Sequence, residues 1–102
     1  MKLKKNEIDL IQKKTNNRCC ICGTWQYLQI HHIIFRSQGG SNNYENLVLL
    51  CNTCHYQIHH GLKSKEYQEQ TYKYLTKKDN YNNCWKGLYE PKIIRRLKND
   101  KL

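Results

Sequence analysis

The 102-residue chain predicts a small α+β domain, and three observations carry that expectation. Residues 27–34, "YLQIHHII", are rich in aromatic and β-branched types, and "LVLL" follows after the turn-forming stretch "RSQGGSNNYEN"; this is the pattern of a hairpin with a long polar connection. Two Cys-x-x-Cys pairs, Cys19/Cys22 and Cys51/Cys54, bracket that hairpin. Apolar residues at helical spacing flank it on both sides.

Taken in order, Asn6 to about Thr15 places Ile8, Leu10 and Ile11 among lysines, as a short amphipathic helix does, and "NNRCCICG" breaks it. The hairpin comes next. "NTCHYQIHHG" then predicts a helix, with Asn52 or Thr53 as its cap and Gly61 in the left-handed position that ends it. His55 and His59 lie four apart on one face of that helix. A further helix is expected from Ser64 to Lys78, with Tyr67, Thr71, Tyr74 and Leu75 along one side. After the polar loop "KKDNYNNCWKG", Pro91 opens a last helix, "PKIIRRLKND", with Ile93, Ile94 and Leu97 inward and Lys92, Arg95, Arg96 and Lys98 outward. Length favours one compact unit, read as residues 1–60 for the core with its leading helix. Residues 61–102 form a basic helical extension packed on it or continuing it.

Only 38% of the residues are hydrophobic, so an apolar core alone would be marginal in a chain this short. Metal fits the six cysteines better than disulfides, because four of them form the two spaced pairs, and a reducing, cytoplasmic setting follows. No apolar run has the length of a signal peptide or of a membrane span, which argues against a membrane partner. Eighteen Lys and Arg against eight Asp and Glu give a formal charge of +10, spread over both halves of the chain. A polyanion is the natural partner of such a surface.

The two cysteine pairs supply four thiolates, the tetrahedral set that zinc prefers, and the Cys22-Gly23 step resembles a zinc knuckle. The 28 residues between the pairs exceed the usual zinc-ribbon gap, so a structure folds inside the loop. A Cys-Cys-His-His finger is excluded because His55 directly follows Cys54. A His-Glu-x-x-His protease is excluded because Tyr56 stands where the glutamate must be. That leaves His31 and His32, adjacent in an apolar strand, to be explained. Alternation points their side chains to opposite faces, so they cannot both be ordinary core residues of one sheet.

"RCCICG" followed by "LQIHHIIFRSQGGSNNYENLVLLCNTCHYQIH" resembles the zinc-bound HNH endonucleases over about residues 18–60. The shared pattern is Cys-x-x-Cys, a His-His pair, a Gly-Gly loop, Asn-Leu, then Leu-Cys-x-x-Cys-His-x-x-x-His. The resemblance implies a ββα-metal fold that holds one divalent cation against the scissile phosphate. It implies that His31 is a metal ligand, His32 the general base, His55 the ligand from the helix and His59 an additional ligand. Asn46 is the middle residue of the motif, implied to tie the loop and orient the base. Many members carry Asp at the first position. His31 in its place shifts the expected cation from Mg²⁺ toward Mn²⁺, Ni²⁺, Co²⁺ or Zn²⁺. A proline common after the His-Ile segment is Phe35 here.

The chemistry of the residues agrees. Phosphodiester hydrolysis needs a nucleophile from water, neutralised phosphoryl oxygens and a stabilised leaving oxygen; a cation can supply the last two. An imidazole, ordinarily titrating near pH ~6.5, can take the proton from water. Cations directed at phosphates are expected at Arg36 and in the cluster Lys92, Arg95, Arg96 and Lys98. His60 is expected to meet solvent or a phosphate, Tyr67 and Tyr74 the core, and Trp85 either the core or a base. The expectation is therefore a metal-dependent endonuclease acting on double-stranded DNA, with a structural zinc and a catalytic divalent cation; its size and composition fit a phage or mobile element. Two alternatives remain: a zinc-stabilised module that binds nucleic acid without cutting it, and a nuclease toxin held by an immunity partner.

Overall fold

The computed structural model describes residues 3–75, 84–86 and 91–100, the last four by backbone alone. In chain order the elements are helix α1 (Lys5–Lys14), strands β1 (Leu28–His32) and β2 (Leu47–Cys51), and helices α2 (Asn52–His60), α3 (Ser64–Tyr72) and α4 (Lys92–Asp100). Two single 3₁₀ turns, Arg36–Gln38 and Tyr44–Asn46, shape the long loop between the strands. The chain is thus a small α+β fold around an antiparallel pair, with Leu28 opposite Cys51 and His32 opposite Leu47.

The two faces of this ribbon are covered differently. Ile11 of α1 packs with Leu47 and Leu49 on one face, joined by Leu28, Ile30 and Tyr44. Val48 and Leu50 point the other way, into a cluster with Cys54 and Ile58 of α2, and with Ile33, Ile34, Leu75, Cys84 and Ile94. All five residues of β2 are buried because both faces are covered, so "LVLL" is continuously apolar where a half-exposed strand would alternate. Ile94 and Leu75 in this cluster put α4 and the turn after α3 against the hairpin. Leu10 is 40% exposed, and Ile11 alone in α1 is fully buried.

Helix ends follow local chemistry. Glu7 Oε1 accepts from Lys4 N at 3.1 Å, opening α1. At its far end Asn16 and Asn17 take positive φ, a conformation asparagine tolerates better than most residues, and the chain turns toward the first cysteine pair. Lys14 reaches across to donate to the carbonyls of Tyr44, Glu45 and Leu47 at 3.0–3.4 Å, fastening the second 3₁₀ turn to α1.

Two expectations about α2 are corrected. Its cap is Cys51, whose Sγ accepts from Cys54 N at 3.4 Å; Asn52 and Thr53 already lie inside the helix. Gly61 is extended (φ −81°, ψ 159°), not left-handed. Glycine is required there by crowding: a Cβ would lie 2.7 Å from the Gln57 carbonyl oxygen. The chain leaves α2 straight into α3, where Ser64 Oγ donates to the Ile58 carbonyl. α3 ends at Tyr72, short of the expected Lys78; residues 76–78 and most of the polar loop lie outside the described residues.

The loop between the strands is pinned from both sides. Gly40 N donates to Phe35 O at 2.9 Å, and a Cβ on Gly40 would overlap the Ile34 carbonyl, so the tight "GG" turn admits no side chain there. Residues 84–86 lie across this turn as a short antiparallel bridge. Ser41 N donates to Cys84 O at 3.0 Å and Lys86 N to Gly39 O at 2.7 Å. Trp85 is half-buried against the core.

Candidate metal and active site

The four cysteines converge. Cys22 N donates to Cys19 Sγ at 3.5 Å and Cys54 N to Cys51 Sγ at 3.4 Å, so each Cys-x-x-Cys turn closes on its own first sulfur. All four Sγ atoms lie within 4.8 Å of one another, and Cys22 Sγ is 3.6 Å from Cys51 Sγ. Sulfurs bound to one tetrahedral zinc at about 2.3 Å stand roughly 3.8 Å apart, so the cluster fits a structural zinc ion. Burial first, then the crowding of the neighbouring sulfurs, pushes the Cys54 thiol up. Burial also raises Cys19, but backbone hydrogen bonds led by Cys22 outweigh it and bring that thiol to about 7. Cys20 points away from the cluster into the core, where burial raises it to about 12, so it stays a protonated, inert thiol.

The histidines form a second convergence. His31, on the face of β1 turned toward α2, is 2% exposed. His55 and His59 descend from α2 onto it, four residues apart and therefore on one side of the helix. Ring centroids are 5.3 Å (His31–His55), 5.7 Å (His31–His59) and 4.6 Å (His55–His59), with the planes steeply inclined to one another. One nitrogen of each lies within 4.8 Å of the others. His31 Nε2 is buried and has no hydrogen-bond partner among the described residues. A buried polar atom left unpaired costs about 1–3 kcal/mol, and a cation is a partner that imidazole lone pairs can share. Burial first, then the neighbouring His55 and His59, lowers His31 to about 3. Burial and His59 lower His55 as well. Both rings are thus kept neutral at physiological pH, the form that binds metal.

Phe35 completes the floor of this site. Its ring stacks on His59 at 5.1 Å with 28° between planes, and meets His31 edge-on at 5.8 Å. Its φ of −59° is one a proline would also adopt, so the loop keeps a proline-like path while the side chain braces two histidines.

His32 stands apart from the three. Its Nε2 is 2.8 Å from Asn42 Oδ1. An amide oxygen only accepts, so this contact places the proton on Nε2 and leaves the Nδ1 lone pair available. Asn46, fully buried, does not reach His32. Its Oδ1 accepts from Ile34 N at 2.8 Å, and its Nδ2 donates to Ile34 O at 3.1 Å and Ser41 O at 2.9 Å. Asn46 therefore closes the loop, while Asn42, one residue past the Ser41 it holds, touches the imidazole. The sequence marks Asn42 only as one of several turn asparagines.

His31, His32, His55, His59, Phe35, Arg36, Ser37 and Ile30 line one cleft of about 310 Å³. A larger hollow of about 630 Å³ lies over the cysteines, between α2 and α3, and contains no histidine. Arg36 is exposed in the histidine cleft. Lys92, Arg95 and Arg96 are exposed on α4, away from its lining. Arg96 turns toward α3, with Nη1 3.8 Å from Glu69 Oε1 and its guanidinium over the Tyr72 ring. The Lys98 side chain lies outside the described residues. No helix among the described residues is long and apolar enough to cross a membrane.

Comparison with known proteins meets this geometry at the same residues. Residues 17–61 match the family model described as HNH endonuclease. Over 46 residues the chain is 41% identical to the type IV methyl-directed restriction enzyme EcoKMcrA of Escherichia coli strain K12. That stretch covers 45% of this chain and 17% of the relative, so the chain spans only a small part of the curated protein it matches. The matched segment holds both cysteine pairs, His31, His32, Asn46, His55 and His59. Residues 17–61 of this chain are thus similar to an HNH endonuclease domain.

Proposed function

We propose that this protein is a metal-dependent endonuclease that hydrolyses phosphodiester bonds of DNA, in a duplex, in the cleft between β1, the following loop and α2. The observation that carries this reading is the buried, unpartnered Nε2 of His31 set against His55 and His59. Three imidazoles are the donor set proposed to hold one divalent cation, and their softness favours Mn²⁺, Co²⁺, Ni²⁺ or Zn²⁺ over Mg²⁺. When bound, such a cation neutralises charge on the phosphoryl oxygens and on the departing oxygen. His32 accepts the proton of the attacking water at Nδ1, because Asn42 holds its Nε2. Arg36, exposed at the cleft, pairs with a backbone phosphate, and Lys92 and Arg95 add affinity for the polyanion. The cysteine site serves the fold: it fixes the first turn of α2 and so the place from which His55 and His59 descend.

Incubating supercoiled plasmid with wild type and His32→Ala, under chelator or each of Mg²⁺, Mn²⁺, Co²⁺, Ni²⁺ and Zn²⁺, tests the reading. The expected result is metal-dependent nicked or linear product that His32→Ala abolishes while retaining its structural zinc. DNA binding by both proteins with no cutting under any metal would replace it with a zinc-stabilised binding module, the role the charge of +10 alone would support.

A further inference from the structure

A third hollow, of about 260 Å³, shares His55 and His59 with the metal cleft and is otherwise lined by Gln29, Asn52, Tyr56 and His60. Its chemistry differs from that of the first. It contains no lysine, arginine or carboxylate, and beyond the two shared histidines it offers two aromatic rings and two amides. Tyr56 is 60% exposed, although folding normally covers most of so large a ring. It lies four residues from His60 on α2, so both rings present themselves on one side, with centroids 5.0 Å apart and planes at 44°. Gln29 is exposed on β1 two residues before His31 and so shares its face of the strand. Asn52 is exposed in the first turn of α2.

Flat π faces with adjacent amide donors and acceptors suit a nucleobase better than a phosphate: the rings take the face of the base and the amides its polar edge. Resting on the nuclease reading, we infer that Tyr56 and His60 form a stacking platform for the base adjoining the scissile phosphate, with Gln29 and Asn52 at its edge. Inside a duplex both faces of a base are covered by its neighbours. A base on this platform has therefore left the stack, so the favoured substrate is duplex DNA whose nucleotide beside the cut is unpaired, as at a flap or a bulge. Arg36, in the other cleft, and this platform then grip the strand on the two sides of the metal site.

The test measures binding of the full, zinc-loaded chain, with no second metal added, to three labelled probes: a single strand, a strand of the same length with abasic linkers throughout, and a fully paired duplex. Wild type should prefer the single strand to the abasic one. Stacking of one base is worth about 1–3 kcal/mol, so Tyr56→Leu should lose about 5- to 150-fold on the single strand and little on the abasic strand, whereas Tyr56→Phe should keep the preference. A Tyr56→Leu protein with wild-type preference, or a Tyr56→Phe protein as poor as Tyr56→Leu, would overturn the platform. Equal zinc content in all three proteins excludes unfolding as the cause. Cleavage is scored separately on duplexes with and without one unpaired nucleotide. No cleavage by wild type defeats the nuclease reading, while the ratio of binding to intact and abasic strands judges the platform.

Discussion

Replacing Asn46 with alanine removes one acceptor and two donations from a fully buried position. The amide of Ile34 loses its partner at 2.8 Å, and the carbonyls of Ile34 and Ser41 lose theirs at 3.1 and 2.9 Å. Each buried group left unpaired costs about 1–3 kcal/mol, and some of that is recovered as water enters beside the loop. The net loss should be about 2–5 kcal/mol, measured by urea unfolding of the zinc-loaded chain. Asn46→Asp is the sharper case. A carboxylate still accepts from the Ile34 amide but sets its second oxygen against two carbonyl oxygens, so it should be at least as destabilising as alanine despite its near-identical shape. Amide exchange should rise most at Ile34, because that amide lies opposite the substituted side chain. An Asn46→Asp protein as stable as wild type, or an Asn46→Ala loss below about 0.5 kcal/mol, would refute the claim that this side chain holds the loop together.

The remaining expectations follow from the same contacts. Cys51→Ser should cost both the structural zinc and the folded state, read by metal content and far-ultraviolet circular dichroism, because zinc binding of this kind contributes on the order of 10 kcal/mol to folding. His31→Leu should abolish metal-dependent cleavage yet leave the zinc-loaded fold as stable or up to about 1 kcal/mol more stable, since it removes the unpartnered Nε2; a large fall in melting temperature would show that nitrogen to be satisfied after all. Asn42→Ala should lower kcat roughly tenfold with KM little changed, the effect expected when an orienting partner is lost, and Asn42→Asp, which keeps an oxygen acceptor, should restore most of it.

Much of this architecture is written locally and can be read without a structure. The 3.6-residue period places His55 and His59 together, the two-residue period of β1 turns His31 and His32 to opposite faces, and each Cys-x-x-Cys spacing is short enough for its turn to close on its own first sulfur. Those features depend on residues a few positions apart, so their spacing alone determines them. What the tertiary structure decided is which distant groups meet. Phe35 reads as a departure from a familiar proline, and only the approach of α2 shows its ring against His31 and His59. Lys14 reads as one solvated lysine among many until its nitrogen is seen on three carbonyls about 30 residues away. Among neighbouring turn asparagines, nothing local distinguishes Asn42, which meets His32, from Asn46, which closes the loop. That division follows from where the Gly-Gly turn sends the backbone, and residues 84–86 lie across the turn. Gly61 shows the same limit: its composition signals a helix end, but whether it serves by positive φ or by lack of bulk depends on how closely the departing chain passes Gln57. Spacing set the ligands and the elements that carry them; packing between remote segments assigned each polar side chain its partner.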